Sequence, residues 1–366
     1  MTLNQSTVTG NKADGGSAIY GPNGGGYGGG FFGIGTLTIT QSVISNNSVQ
    51  AGDGNPGGDA EGGGIYNSGA TTLQISVISG NTAHGGAGNY GGMSSGDPGT
   101  DAKGGGGFFG GALTVSRSTI SGNNAIGGTG NDSDRTPAIG VGPGGNAQGG
   151  GLWCGQTSTL TNTTLANNKA TGGTGGSAAA GIPAKGDTGG TGGNASGGAA
   201  YVFKSIKLFD STLSGNSVVA GPGGAGYAGD VFPKTGPGKA GTAVGGGLTL
   251  VIAGTSLLDN TIVSGNKSGA VFSDISGTAL STSANNLIGV GGGLINGVHA
   301  NKVGITAPNL SSLANHGGFT QTMLPLAGSA AIDAGNNSLI PAGVTVDQRG
   351  LARIVNKIVD IGADET

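Results

Sequence analysis

Cysteine, charge and aromatic side chains are all scarce in this sequence. The only cysteine is Cys154, which excludes an intrachain disulfide. Charged residues make up 9% and aromatic residues 4% of the 366 residues. The net charge of −3 comes without any basic cluster, and phosphate binding needs concentrated lysine and arginine. We therefore expect no nucleic-acid partner.

Long apolar runs are also missing. No segment is apolar for long enough to span a bilayer as a helix, so we predict no transmembrane segment in this chain. Residues 1–4 show neither the basic nor the apolar part of a signal peptide. Because the first repeat begins almost at residue 1, we expect the chain to be a fragment of a longer precursor or to have lost its leader.

Glycine, in contrast, is abundant. The chain has 87 glycines and 12 prolines, which together are about 27% of its residues against about 12% in average proteins. Without a period, such a composition is typical of a disordered, low-complexity chain. The interpretation therefore depends on whether the sequence repeats.

A short motif does repeat, in the order Ser/Thr, any residue, aliphatic, Ser/Thr/Ala, Gly/Asn, Asn. Its seven copies end at Asn11, Asn47, Asn81, Asn123, Asn168, Asn216 and Asn266. Each later copy follows a glycine cluster at a nearly fixed distance of 18 to 21 residues, whereas the distance from one copy to the next cluster varies from 15 to 29. The fixed part indicates a structural rung, and the variable part indicates a surface loop.

The fixed part has the pattern of β-strands. Segments such as 37–40 and 113–116 alternate apolar with polar residues at period two, and no segment shows a sustained helical period. A single rung cannot bury its own apolar face, but stacked rungs can. We predict an all-β, right-handed parallel β-helix, a solenoid with about one rung per repeat. The repeats with their glycine-rich lateral loops occupy 1–289, and 290–366 supply the last rungs and a cap over the open end.

The asparagine that ends each motif has a structural and a functional interpretation. Asparagine tolerates the left-handed backbone of a sharp corner, and stacked amides form hydrogen-bonded ladders. The structural role is the one we expect. The alternative is a row of polar groups that bind a ligand.

The variable segments form long glycine-rich arms, such as 172–193. Loops of this length are either functional or disordered, and a third possibility is extended polyproline-II-like packing, because glycine lets backbones approach closely. The arms leave equivalent points on successive rungs and are expected to lie side by side. The sequence leaves open whether they are ordered.

Metal and catalytic groups are poorly represented. Residues 127–132 match the start of the calcium-binding nonapeptide Gly-Gly-x-Gly-x-Asp, which makes Asp132 and Asp134 weak calcium candidates. The match is single, so we predict no cofactor. Glycoside hydrolysis needs two carboxylates in one groove, and the three histidines lack metal-ligand spacing. We expect a non-enzymatic protein in which Cys154 is a buried small apolar residue.

Two stretches resemble known bacterial surface proteins. Segments 62–69 and 76–81 are similar to the repeats of secreted β-helix proteins, including polymorphic outer-membrane proteins and autotransporter passengers. The C-terminal part resembles the choice-of-anchor Q domain in its motifs Asn315-His316-Gly317-Gly318-Phe319-Thr320-Gln321-Thr322, Ser329-Ala330-Ala331-Ile332-Asp333-Ala334-Gly335, Asp347-Gln348-Arg349-Gly350, Arg353 and Asp360-Ile361-Gly362-Ala363-Asp364-Glu365.

The resemblance implies a location at a bacterial cell surface and a structural or adhesive role. Partners would be the protein itself, surface glycans or other cells. Two alternatives stay open: a subunit of a self-assembling extracellular filament, and a polysaccharide lyase or glycosidase built on the β-helix. In the cap, we expect Arg349 and Arg353 to form ion pairs with Asp347 or Asp360.

Overall fold

A computed structural model describes residues 1–17, 24–54, 58–88, 96–132, 141–178, 188–228 and 234–366. Within these residues the regular secondary structure is almost entirely β, as predicted. The described ranges contain no α-helix, and their 3-10 helices are Val298–Ala300 and Asn337–Leu339. Across those ranges no helix has the length and apolarity that a membrane crossing requires.

The strands come in groups of five, and each group of five is called a rung here. Rungs 1 to 3 are β1 Thr2–Asn4, β2 Thr7–Thr9, β3 Lys12–Asp14, β4 Gly26–Tyr27, β5 Phe31–Gly33; β6 Leu37–Thr40, β7 Val43–Ser45, β8 Ser48–Gln50, β9 Ala60–Glu61, β10 Ile65–Asn67; β11 Thr71–Gln74, β12 Val77–Ser79, β13 Thr82–His84, β14 Ala102–Lys103, β15 Gly107–Phe109.

Rungs 4 to 6 repeat the pattern, and rung 7 is followed by three more short strands. They are β16 Leu113–Ser116, β17 Thr119–Ser121, β18 Asn124–Ile126, β19 Ala147–Gln148, β20 Leu152–Cys154; β21 Ser158–Thr161, β22 Thr164–Ala166, β23 Lys169–Thr171, β24 Ala195–Ser196, β25 Ala200–Val202; β26 Ile206–Phe209, β27 Thr212–Ser214, β28 Ser217–Val219, β29 Ala243–Val244, β30 Leu248–Leu250; β31 Leu257–Asp259, β32 Ile262–Val263, β33 Lys267–Ser268, β34 Val271–Phe272, β35 Ile275–Thr278; β36 Leu287–Ile288, β37 Gly291–Gly292, β38 Lys302–Val303.

Strands with the same place in successive rungs pair side by side and form five separate sheets. Sheet A runs β1-β6-β11-β16-β21-β26-β31, sheet B runs β2-β7-β12-β17-β22-β27-β32-β36-β38, and sheet C runs β3-β8-β13-β18-β23-β28-β33-β34. Sheet D runs β4-β9-β14-β19-β24-β29, and sheet E runs β5-β10-β15-β20-β25-β30-β35-β37. Every pair is parallel except β33 with β34, which form an antiparallel pair.

The main core lies between sheets A, B and E. The parallel register places the same rung position in line, so that Ile39, Leu73, Val115, Leu160 and Leu208 stack on one another. All of them are buried in one apolar cluster. A second cluster joins sheets C and D and consists only of alanine and valine. These small side chains let sheets C and D pack closely beside the point where the arms leave.

Left-handed backbone marks the corner between sheets B and C. The residues with positive φ there are Gly10, Asn46, Gly80, Gly122, Asn167, Gly215 and Gly265. Each lies immediately before one of the motif asparagines. Our expectation that those asparagines themselves take up the left-handed conformation is wrong, because the corner turns one residue earlier.

The C-terminal residues run back alongside the sheets, although we expected residues 290–366 to cap their open end. Strands continue as far as Val303. Beyond it, the Asn162 side-chain amide donates to the Val346 carbonyl at 2.8 Å, and the Gly362 N–H donates to the Asn260 carbonyl at 2.8 Å. The segment 306–366, called the C-terminal segment here, therefore contacts several rungs from the side.

Gln348 fastens the C-terminal segment to the outer face of sheet B. Its side-chain amide donates to the Thr119 hydroxyl at 3.0 Å and accepts from the Thr164 hydroxyl at 2.7 Å. The Ala363 N–H donates to the Thr212 hydroxyl at 3.0 Å. These three threonines stand in register on adjacent strands of sheet B and are buried. The C-terminal segment thus covers a polar row that would otherwise face water.

Candidate functional site

The motif asparagines form one continuous hydrogen-bonded ladder inside the molecule. In each step, the backbone N–H and the side-chain amide of one asparagine both donate to Oδ1 of the next at 2.8–3.1 Å, through Asn11, Asn47, Asn81, Asn123, Asn168, Asn216 and Asn266. At the end of the row, Asp274 accepts both bonds from Asn266 at 2.8 Å. All but Asn11 are buried. The row is inaccessible to a ligand, and its amides hold the rungs together.

The glycine-rich arms link sheet C to sheet D in rungs 1 to 6. They span 15–25, 51–59, 85–101, 127–146, 172–194 and 220–242, and are called arms 1 to 6 here. Their described residues are bonded to one another in a zigzag that passes from the outgoing half of one arm to its returning half and on to the next arm. The N–H groups of Gly145, Gly173, Gly193, Gly221 and Gly241 donate in turn to the carbonyls of Gly128, Gly145, Gly173, Gly193 and Gly221 at 2.8–2.9 Å.

Burial along the arms follows a period of three. In the segment Gly172-Gly173-Thr174-Gly175-Gly176, both glycines of each pair are buried and the threonine is exposed. This is the period of the polyproline-II helix, which has three residues per turn and no internal hydrogen bonds. Its backbone groups must bond to neighbours, and in the arms they do. The ordered packing that we held open for the arms is what these described residues show.

Glycine is required in the arms because no side chain fits between them. A Cβ atom added to Gly173 would lie 1.9 Å from the Gly128 carbonyl oxygen, and one added to Gly193 would lie 1.8 Å from the Gly145 oxygen. Real Cβ contacts at such distances do not occur. The Gly-Gly-x pattern is thus a packing rule, with x as the residue that faces water.

A polar groove lies where the returning arms meet sheet D. Its volume is about 400 Å³, and its lining includes Asp59, Asp101, Asn146, Asn194 and Thr191. Asn146 donates its backbone N–H to Oδ1 of Asp101 at 2.7 Å, and Asn194 donates its own to Oδ1 of Asn146 at 2.9 Å. A second, shorter ladder therefore runs along the groove, and its carboxylate and amide groups are spaced like the paired strands of successive rungs. Such groups suit the hydroxyls of a polymer.

Lys103 neutralises the acidic end of this groove. Its ammonium group lies 2.5 Å from Asp59 Oδ2 and 3.1 Å from Glu61 Oε1. Burial alone would lower the pKa of Lys103, but the hydrogen bond and charge of Asp59, with those of Glu61, raise it. Burial raises the pKa of Glu61 and of Asp101, against the effects of Lys103 and Asn146 respectively. Within the described ranges, no group of three metal-binding side chains is assembled.

A row of stacked aromatic rings runs beside the groove on sheet E. The rings of Phe32, Tyr66, Phe108 and Trp153 stack with centroids 5.2, 5.0 and 4.3 Å apart and planes within 7°. Each ring covers the faces of its neighbours, so the row presents edges rather than faces to water. The Trp153 indole N–H donates to Gln148 Oε1 at 3.2 Å. Sequence reasoning missed this row, although an aromatic residue recurs at a fixed distance after the glycine cluster.

The ion pairs expected in the C-terminal segment are arranged differently from our prediction. Arg349 pairs with Asp347 at 2.7 Å, as expected. Arg353 instead donates to the backbone carbonyl of Asp360 at 2.7 Å and lies 3.7 Å from the carboxylate of Asp210, in rung 6. The Asp360 carboxylate accepts from the backbone of Asp333 and from Thr366. Arg353 thus links the C-terminal segment to the rungs.

Mild acid is expected to stabilise the attachment of the C-terminal segment. Burial raises the pKa of Asp210 to about 6, against the charge of Arg353, and raises the pKa of Asp364 to about 6, against the charge of Arg349, which lies 3.7 Å away. The folded state therefore holds protons that the unfolded state releases, so the stability contribution of each group falls as pH rises from about 4 to 6. The difference is worth about 3 kcal/mol for each group.

Urea unfolding at pH 8 and pH 5.5 measures this effect. We expect greater stability at pH 5.5, and a smaller difference in the variant Asp364→Asn, which carries no titrating group there. His84, whose pKa burial lowers, acts in the opposite direction and is unchanged in the variant. Equal pH dependence in the two proteins would contradict the assignment.

The remaining candidates that the structure describes form no second site. Asp132 accepts a hydrogen bond from the Ser177 N–H at 2.6 Å, and Asp134 lies outside the described residues. Burial raises the pKa of the Cys154 thiol to about 11, so this sulfur is a poor nucleophile at neutral pH.

The chain matches none of the protein-family models against which it was scanned. A search among curated proteins finds no relative with significant similarity.

Proposed function

We propose that the chain is a right-handed parallel β-helix that serves as a non-enzymatic structural and adhesive rod at a bacterial cell surface. The observation that carries this proposal is a pair of ladders: the asparagine ladder couples rungs 1 to 7 in turn, and the glycine ladder couples arms 4 to 6. Connections between parallel strands are right-handed in nearly all proteins, which supports a right-handed winding of the β-helix. A body so extensively bonded along its length suits a load-bearing or displaying role.

The choice of a surface location rests on the C-terminal motifs. Residues 315–365 resemble the choice-of-anchor Q domain of bacterial surface proteins. In the structure, Gln348, Arg349 and Arg353 from these motifs bond within the C-terminal segment or attach it to the rungs. A structural role for these residues, rather than a catalytic one, agrees with a display protein.

The adhesive part of the proposal rests on the polar groove. Asp101, Asn146 and Asn194 repeat along it at the spacing of the strands, and Gln148, two residues after Asn146, accepts from the Trp153 indole N–H. Repeated amide and carboxylate groups recognise repeated hydroxyls, so the ligand class that we propose is a surface polysaccharide.

Binding to a panel of immobilised bacterial polysaccharides tests the proposal. We expect retention of the wild type on at least one of them, no release of reducing sugar or unsaturated product with or without calcium, and binding about fivefold weaker in Asn146→Ala, which removes groove hydrogen bonds. Thr114→Ala, an exposed change on sheet A, is the matched control. Turnover of any polysaccharide would favour the enzyme instead, and fibres seen by electron microscopy would favour the filament subunit.

A further inference from the structure

The bundle of arms ends in an open edge at arm 6. Rung 7 has no arm, because Gly269 and Ala270 alone join β33 to β34. Arms 4 and 5 are each covered by the next arm, but nothing among the described residues covers arm 6 in the same way. The returning half of arm 6 is accordingly exposed or half-exposed throughout 234–242, whereas the glycines of 189–193 in arm 5 are buried.

The N–H groups that lack an acceptor at this edge can be identified from the repeat. In the outgoing halves, Gly130 donates to the Thr174 carbonyl at 2.9 Å, and Gly175 donates to the Pro222 carbonyl at 3.0 Å. The next donor in this series is Gly223, and its N–H has no acceptor within the part of the chain that the structure describes. In the returning halves, Gly192 donates to the Lys239 carbonyl at 2.9 Å, and the corresponding N–H of Ala240 is free among those same residues.

The backbone of this edge also restricts which amino-acid sequence can pack against it. Where arm 6 lies on arm 5, a Cβ atom at Gly221 would be 2.0 Å from the Gly173 oxygen, and one at Gly224 would be 1.8 Å from the Gly176 oxygen. A segment that lies on arm 6 in the same manner meets the carbonyls of Gly221 and Gly224 equally closely. Only glycine fits at those points, and every third residue is free to carry a side chain.

We propose that the open edge of arm 6 binds an extended Gly-Gly-x segment of a separate partner protein, which adds to the bundle as a further arm. This is edge addition, as in strand addition to a sheet, carried out by polyproline-II backbones. The chain's own arms 4 to 6 do not supply the segment from a second copy, because the carbonyls of Thr174, Pro222 and Lys239 already accept hydrogen bonds. The edge belongs to the arm bundle, so this binding does not depend on what the polar groove binds.

A labelled peptide of four Gly-Gly-Thr repeats, with four Gly-Ala-Thr repeats as its control, tests the proposal by fluorescence anisotropy on the whole chain. We expect the first peptide to bind and the second to bind at least tenfold more weakly, because each alanine meets a carbonyl. Binding of neither peptide, or equal binding of both, would overturn the proposal.

Two proline variants locate the binding on the protein. Ala240→Pro removes the free N–H at a residue that already has a Cβ atom, and we expect it to weaken binding of the Gly-Gly-Thr peptide about tenfold. Thr174→Pro places proline on the exposed face of arm 5, where arm 6 has Pro222, and should leave binding unchanged. Equal binding by the two variants would contradict the site. Sedimentation velocity distinguishes the source: self-association lost in Ala240→Pro would assign the segment to a second copy and overturn the separate partner.

Discussion

Replacing Asn123 with alanine is expected to lower the free energy of unfolding by about 4 kcal/mol. The side chain of Asn123 is buried, donates to the Ile78 carbonyl and to Asn168 Oδ1, and accepts from the backbone and side chain of Asn81, all at 2.9–3.0 Å. Alanine leaves these partners buried without their bonds, and each such loss costs about 1–3 kcal/mol. Urea unfolding followed by circular dichroism measures the change.

The neighbouring residue is the matched control for this prediction. Asn124 is only half-buried, and its side chain has no hydrogen-bond partner among the described residues. Asn124→Ala should therefore change the stability by less than about 0.5 kcal/mol. If both variants unfolded like the wild type, the ladder would not be what couples the rungs.

Replacing Gly173 with alanine is expected to disrupt the arm bundle at a cost of about 3 kcal/mol. The added Cβ atom would lie 1.9 Å from the Gly128 carbonyl oxygen and 2.8 Å from that of Gly127. The Gly128 oxygen accepts from the Gly145 N–H, and the Gly127 backbone is held by its own N–H, which donates to the Thr171 carbonyl. Neither can give way, so arms 4 and 5 must separate. Urea unfolding and limited proteolysis at the arms measure the loss of stability and the opening.

Thr174→Ala is the matched control, because Thr174 directly follows Gly173 and its side chain faces water. We expect its stability and its proteolysis pattern to match those of the wild type. Equal tolerance of alanine at residues 173 and 174 would mean that the arms are not closely packed.

The repeating strands were predictable from sequence because their spacing is constant. A fixed distance of 18 to 21 residues between glycine cluster and asparagine separated rung from arm, and the alternation at 37–40 and 113–116 indicated strands. Those segments are strands of sheet A. The motif asparagines were the right residues to select. The backbone conformation predicted for them was wrong, because the motif does not show which of two adjacent residues takes the left-handed conformation.

Composition could not show whether the arms are ordered, since disordered and closely packed glycine-rich segments have the same amino-acid content. The period of three in 172–176 and 189–193 was the signal available. The path of the C-terminal segment had no local signal at all. Its position depends on contacts between residues about 150 to 230 apart, such as Gln348 with Thr119 and Ala363 with Thr212.

Amide hydrogen–deuterium exchange is the measurement that tests the central claim most directly, namely that the arms are an ordered hydrogen-bonded layer on a stack of coupled rungs. We expect the amides of Gly173, Gly176 and Gly193 to exchange as slowly as those of the strands, and the free amides of Gly223 and Ala240 to exchange rapidly. Exchange of all five at the rate of an unstructured peptide, beside protected strands, would contradict the account.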